Sequence, residues 1–274
     1  MSLAAGGPLL LIGCGKMGGA LMAGWLAGGL SADSISVVEP HPESAAAAGA
    51  KGVSVVGEIA AVPAGMAPAV VMLAVKPQQM DAIVPPLARF VGPDTVFLSI
   101  AAGTTIGYFA QHLGAAAAIV RAMPNTPAAV GRGMTVLAAN PRVSAAQRDL
   151  CAALLSAVGE VAWVEEEALL DPVTAVSGGG PAYVFLLIET LAQAGVEAGL
   201  PDDLAMRLAR VTVAGAGELV HRAEEPAGVL RENVTSPGGT TLEALKILMA
   251  QDGLQPLMTR AIAAATRRSR ELAS

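Results

Sequence analysis

Short, near-continuous apolar runs alternate with mixed segments through the first 165 residues. Leu9–Ile12, Ile35–Val38, Ala69–Val75, Val96–Ile100, Ala118–Val120, Met134–Ala138 and Val161–Val164 read as strands, with another short one before Gly57-Glu58. Ala69–Val75 (AVVMLAV) is too apolar to face water on either side. Such strands alternating with helical segments predict a mostly parallel sheet covered on both faces.

After Glu165–Glu167 the strand signals stop. Pro181–Leu200 reads as one long helix, with proline in its first turn and Gly199 near its end. Pro201–Arg222 opens on Asp202 and Asp203 and closes on His221 and Arg222, the charge order a helix dipole favours. Thr241–Gln251 and Leu254–Leu272 complete an all-helical second half, so the expected domains are 1–165 and 166–274. Most of these helices are apolar on more than one face, which so short a half cannot bury alone. Pairing of two copies through this half is therefore expected.

Composition removes several classes of function. Hydrophobic residues make up 53% of 274, but aromatics only 3%, so the excess is mostly alanine and valine. Val173–Ile188 is interrupted by Gly178–Pro181, and no run reaches the roughly 18 uninterrupted apolar residues of a membrane span. Met1–Pro8 lacks the basic flank of a signal peptide, and a cytosolic protein is expected. The net charge is −6 and the sole basic cluster, Arg267, Arg268 and Arg270, suits the end of a helix rather than nucleic acid. Cys14 and Cys151 lie far apart with no Cys/His cluster, which fits a reducing compartment and no metal site.

The chemistry is concentrated in glycine-rich turns. Gly13, Cys14, Gly15, Lys16, Met17 and Gly18 form GxGxxG directly after a strand and at the start of a helix. Gly13 permits the tight turn, Gly15 close approach of a pyrophosphate, and Gly18 helix–strand packing. Glu39, at the end of the second strand, is placed to accept hydrogen bonds from ribose hydroxyls and repel a 2′-phosphate, which leans toward NADH. The alternative is an exposed loop glutamate beside Pro40. Ala74, Val75, Lys76 and Pro77 end the fourth strand at the ligand-facing edge. The expected class is thus α/β, an N-terminal Rossmann dinucleotide-binding domain followed by an all-α C-terminal dimerisation domain.

Two later segments stand out: Arg121–Pro127 (RAMPNTP), and Val234–Leu245, which carries SPGGTT. The second runs from a glycine-rich turn into a helix and offers free N–H groups to an anion, although Ser236 or Thr240 could serve as an ordinary cap. With IGCGKMG, AVKPQ and SGGGPAYVF, these segments resemble the pyrroline-5-carboxylate reductase family over nearly the whole chain. The resemblance implies NADPH- or NADH-dependent reduction of the C=N bond of L-1-pyrroline-5-carboxylate to L-proline. It also implies interlocked C-terminal helices in a homodimer, often assembled into rings. By the same resemblance, N–H groups of Gly239, Thr240 and Thr241 hold the substrate carboxylate, with Ser236 nearby. The Thr241 hydroxyl meets the ring nitrogen, Asn125 lines the cleft beside the nicotinamide, and Glu224 or Glu225 borders the substrate pocket. Many members carry Asn where this chain has Gly57-Glu58, and Ser or Thr in place of Glu39; both departures bear on the usual NADPH preference.

A β-hydroxyacid dehydrogenase is the nearest rival, but it needs a basic lysine in the first C-terminal helix. The lysines here are Lys16, Lys51, Lys76 and Lys246. A non-catalytic NAD(H)-binding regulator would not need RAMPNTP or SPGGTT. His41, His112 and His221 are assigned no role.

Overall fold

The structure, a computed structural model, describes residues 6–273. Eight strands build one sheet: β1 Leu9–Ile12, β2 Ile35–Val38, β3 Ser54–Val56, β4 Val70–Leu73, β5 Val96–Ser99, β6 Ala118–Met123, β7 Gly133–Ala139 and β8 Gly159–Trp163. Their spatial order is β3-β2-β1-β4-β5-β6-β7-β8. All neighbours from β3 to β6 are parallel, β7 runs antiparallel to β6, and β8 is parallel to β7. Residues 124–132 are too few for the crossover of a dozen or more residues that a parallel β7 would need, so the chain turns straight back.

Eleven α-helices are described: α1 Lys16–Ala27, α2 Pro42–Gly49, α3 Met80–Ile83, α4 Ile106–Leu113, α5 Ala145–Ser156, α6 Leu170–Val173, α7 Gly180–Glu197, α8 Asp202–Arg222, α9 Ala227–Asn233, α10 Thr240–Leu248 and α11 Leu254–Ala273. The apolar strands follow from the layers. In β1, Leu9 and Leu11 join a core with Leu21 and Trp25 of α1 and Leu154 of α5. Leu10 and Ile12 join the opposite core, with Met80 of α3 and Phe109 of α4. Period-2 alternation puts every second side chain on each face, and because both faces are covered neither position can be polar. Trp25 is fully buried, and its indole N–H donates to the Leu154 carbonyl at 2.8 Å, so no donor is stranded in that core.

The chain divides into two compact units. One runs to Gly178 and takes in the chain again from Ala265; the other is Gly179–Ala264. In the first unit, a π-helical turn, Thr174–Gly178, follows α6. The returning segment is fixed there by Ser269, whose hydroxyl donates to buried Asp171 at 2.7 Å, and by Leu272 beside Gly103. Gly103 holds φ +77°, and a Cβ on it would come 3.0 Å from the Leu272 carbonyl oxygen.

The second unit is all-helical. Ala192 of α7 and Ala205 and Ala209 of α8 are buried between the two helices, and Gly195 lets Ala205 approach. The strand-free second half was anticipated from the sequence, but α9, which opens after Pro226, was not. Glu167–Glu197 is long and apolar enough by composition to cross a membrane, the one such stretch among the described residues. Phe185, Leu186, Leu187 and Leu191 on α7 are exposed.

Candidate active site

The carboxyl ends of β1 to β6 share one edge of the sheet, and the expected cofactor residues gather there. At the end of β1, Gly13 holds φ +89°. A Cβ on it would lie 2.8 Å from Val75 Cγ1 and 2.9 Å from the Ala74 carbonyl oxygen. A Cβ on Gly18 would run into the Gly13 carbonyl. Gly15 has no atom within 4 Å of where its Cβ would stand, so it leaves an open approach to the start of α1. No side chain caps that helix, and its first N–H groups are turned toward any anion placed over the turn.

Beside the turn lies a cleft of about 690 Å³, lined by Gly13, Gly15, Glu39, Ala74, Val75 and Lys76 among others. That volume suits a cofactor-sized ligand. Cys14 and Gly18 contribute from behind through backbone and packing, Lys16 is exposed on the first turn, Met17 is half-buried, and Pro77 opens the turn after Lys76.

Glu39 is buried, which removes the reading of it as an exposed loop residue. Its Oε2 accepts the Cys14 N–H at 2.7 Å and its Oε1 the His41 N–H at 2.9 Å. A carboxylate has room for about four hydrogen bonds, so two positions remain for ribose hydroxyls. Among the cleft residues not singled out as ligands from sequence are His41, Glu58 and Arg89. The first two lie within three residues of the ends of β2 and β3, where the carboxyl-edge rule could have found them. Arg89 comes from the turns after α3, and its Nη2 donates to the Ile59 and Val62 carbonyls at 2.8 and 3.0 Å. It braces the chain between β3 and β4.

Asn125 lies elsewhere on the same edge, just past β6. Its Oδ1 accepts the Met134 N–H at 2.9 Å and its Nδ2 donates to Ser177 Oγ at 3.1 Å. Arg121, buried in β6, pairs with Glu167 at 2.9 Å, and the same carboxylate oxygen accepts the Ile106 N–H that opens α4. RAMPNTP thus ties β6 to the segment leading into the C-terminal helices.

In the second unit, Ser236, Gly239, Thr240 and Thr241 come together at the start of α10. Gly239 is the residue before the helix, and no side chain caps it, so neither Ser236 nor Thr240 plays that part. The Gly239 N–H is already bound to the Ser236 carbonyl at 3.0 Å. Free N–H groups are therefore offered by Thr240 and Thr241, while Gly239 shapes the turn. Glu224 and Glu225 are exposed between α8 and α9.

A family model described as pyrroline-5-carboxylate reductase dimerisation matches residues 167–272. The chain is 42% identical over 266 residues to the pyrroline-5-carboxylate reductase of Pseudomonas aeruginosa, covering 97% of this chain and 96% of that one. The chain belongs to the pyrroline-5-carboxylate reductase family. A second member, from Mycobacterium leprae, is 39% identical over 287 residues, with 96% of each chain covered. The solved pyrroline-5-carboxylate reductase of Coxiella burnetii superposes with a TM-score of 0.91 at 35% identity, covering 98% of this chain and 99% of that one. A Plasmodium falciparum member, solved with NADP bound, gives 0.79 at 27% identity, covering 97% of this chain and 98% of that one. A further model, NADP oxidoreductase coenzyme F420-dependent, matches residues 9–103, the part of this reductase-family chain that holds the glycine turn and the cleft.

Both thiols of this reductase-family chain are free and buried. Burial, then the neighbouring Glu39 charge, raises the Cys14 thiol, with Lys51 pulling the other way. Burial alone pushes Cys151 up to about 12. Among the described residues no group of three His, Cys, Asp or Glu side chains could hold a metal.

Proposed function

We propose that the protein reduces the C=N bond of L-1-pyrroline-5-carboxylate to give L-proline, with NADH or NADPH as reductant. The observation that carries this reading is the presence in one chain of two open helix starts of different use. One, at Gly15, stands beside a cleft large enough for a dinucleotide. The other, at Gly239, offers the Thr240 and Thr241 N–H groups and the Thr241 hydroxyl together. Family membership supplies the substrate.

The residues present fit a dinucleotide. Gly13 and Gly18 close the turn, Gly15 leaves the approach clear, and Glu39 is fixed where ribose hydroxyls would meet it. When bound, nicotinamide dinucleotide supplies the hydride. The protein's share is mostly positioning, since an imine is protonated readily and accepts hydride without a strong protein acid. The N–H groups of Thr240 and Thr241 hold the substrate carboxylate, with Ser236 beside them. The Thr241 hydroxyl donates to the ring nitrogen, and Glu224 or Glu225 borders the pocket.

We assign the exposed apolar residues of α7 and α8 to a second copy of the chain, giving a homodimer through residues 166–274 and, beyond it, a ring. That assignment also accounts for the apolar Glu167–Glu197 stretch without a lipid. Two free, buried thiols fit a reducing, cytoplasmic setting. The deciding assay follows oxidation of NADH and of NADPH separately, with pyrroline-5-carboxylate supplied or withheld. Oxidation that depends on the imine is expected; binding of reduced cofactor without turnover would defeat the reading.

A further inference from the structure

The carboxyl edge of the sheet places successive parts of an extended ligand in strand order. Glu39 ends β2, the glycine turn ends β1, Ala74 to Lys76 follow β4, and Asn125 stands past β6. Neighbouring strands are about 4.8 Å apart, so Asn125 lies three spacings, about 14 Å, beyond the glycine turn on the side away from Glu39. A dinucleotide with its adenosine at Glu39 and its pyrophosphate at the turn directs its nicotinamide half toward that end.

The hydrogen bonds there determine who donates. Asn125 Oδ1 takes the Met134 N–H, so the amide orientation is fixed and Nδ2 faces Ser177. An NH₂ group only donates, so Ser177 Oγ is the acceptor and its own proton points elsewhere. No acceptor among the described residues takes that proton. Ser177 is half-buried in the π-helical turn, a rare element that recurs at functional sites. The next residue, Gly178, would bring a Cβ within 2.5 Å of Met123 Cε, so RAMPNTP and SGGG are packed as a pair.

We propose that Ser177 is a cofactor-binding residue whose hydroxyl, oriented by Asn125, donates to the carboxamide oxygen of the nicotinamide. The inference rests on the reductase reading for its choice of cofactor. A substrate role is less suited, because the carboxylate and ring nitrogen of the imine already have donors at Thr240 and Thr241.

The test is calorimetric titration of wild type, Ser177→Ala and Ser177→Thr with NADH and, separately, with ADP-ribose, which lacks only the nicotinamide. Loss of one neutral hydrogen bond should weaken NADH binding by about three- to tenfold in Ser177→Ala. ADP-ribose should bind unchanged, and Ser177→Thr should restore NADH. Unchanged NADH affinity overturns the proposal, including the case in which only the KM for pyrroline-5-carboxylate rises. Equal weakening of both ligands also overturns it, because it assigns Ser177 to the fold. A wild type that binds NADH without turning over the imine would defeat the reductase reading alone. One that binds neither ligand would defeat both.

Discussion

At Glu39 the side chain that closes β2 is turned inward, where Cys14 and His41 supply hydrogen bonds to its two oxygens. In the cofactor pose proposed above, the carboxylate held this way stands where a 2′-phosphate would have to sit. Glu39→Ser should raise the ratio of NADPH- to NADH-dependent activity by about ten- to a hundredfold by removing that repulsion. Both cofactors should also bind more weakly, since two charge-assisted bonds bracing the turn are lost; initial rates with each cofactor give the ratio, and an unaltered one would show that Glu39 does not read the ribose. Thr241→Ala should lower turnover by about ten- to a thousandfold if the bond to the ring nitrogen tightens in the transition state. Normal single-turnover rates in that variant would remove Thr241 from the mechanism. Cys151 makes a pH-dependent contribution. Its thiol stands near 9.0 when unfolded and at about 12 when buried, so the buried neutral form is fully stabilising below 9 and that stability is lost as pH rises from 9 toward 12. The urea midpoint should therefore fall more steeply in wild type than in Cys151→Ala between neutral pH and about pH 10.5.

Among the elements, those that alternate across two buried faces were legible in the sequence. β1, β4 and β5 are apolar at every, or nearly every, position because helices cover the sheet on both sides. Orientation was less accessible: the antiparallel β7 follows from the length of the link before it rather than from its own residues. The π-helical turn was invisible, because the packing of Gly178 on Met123 and the bond from Asn125 to Ser177 join residues 52 or more positions apart. In the site, the glycine turn and Glu39 could be read from their spacing, whereas Arg89 reaches the cleft through tertiary packing that no local pattern records. Helix α1 illustrates how packing overrides propensity. Gly24→Ala would gain about 1 kcal/mol of helix propensity. Yet its Cβ would lie 2.8 Å from Val158 Cγ1 and 3.0 Å from the backbone oxygen of Ala157. Overpacking against backbone costs about 1–3 kcal/mol, so the net effect should be a lower thermal midpoint; a raised one would mean that α1 can move aside.

The whole molecule depends on surface that one chain leaves uncovered. Phe185 is 60% exposed and Leu186 57% on α7, with Val211 at 66% and Leu219 at 68% on α8. Large apolar side chains this exposed on two helices that pack together suit an association face. Phe185→Glu should shift the protein to monomer in sedimentation velocity and abolish imine reduction while leaving ADP-ribose binding in place. A variant that stays fully dimeric would place the interface elsewhere. The first unit has its own dependence, because it is discontinuous in sequence: Asp171 and Gly103 meet Ser269 and Leu272 only after Gly179–Ala264 has been passed. Domains emerging from the ribosome normally fold in the order of their synthesis. Here the sheet can assemble early, but its closing contacts must wait until the association helices have also been made. With the homodimer proposed above, a nascent chain therefore does not complete the first unit before it has also produced the helices assigned to the second copy.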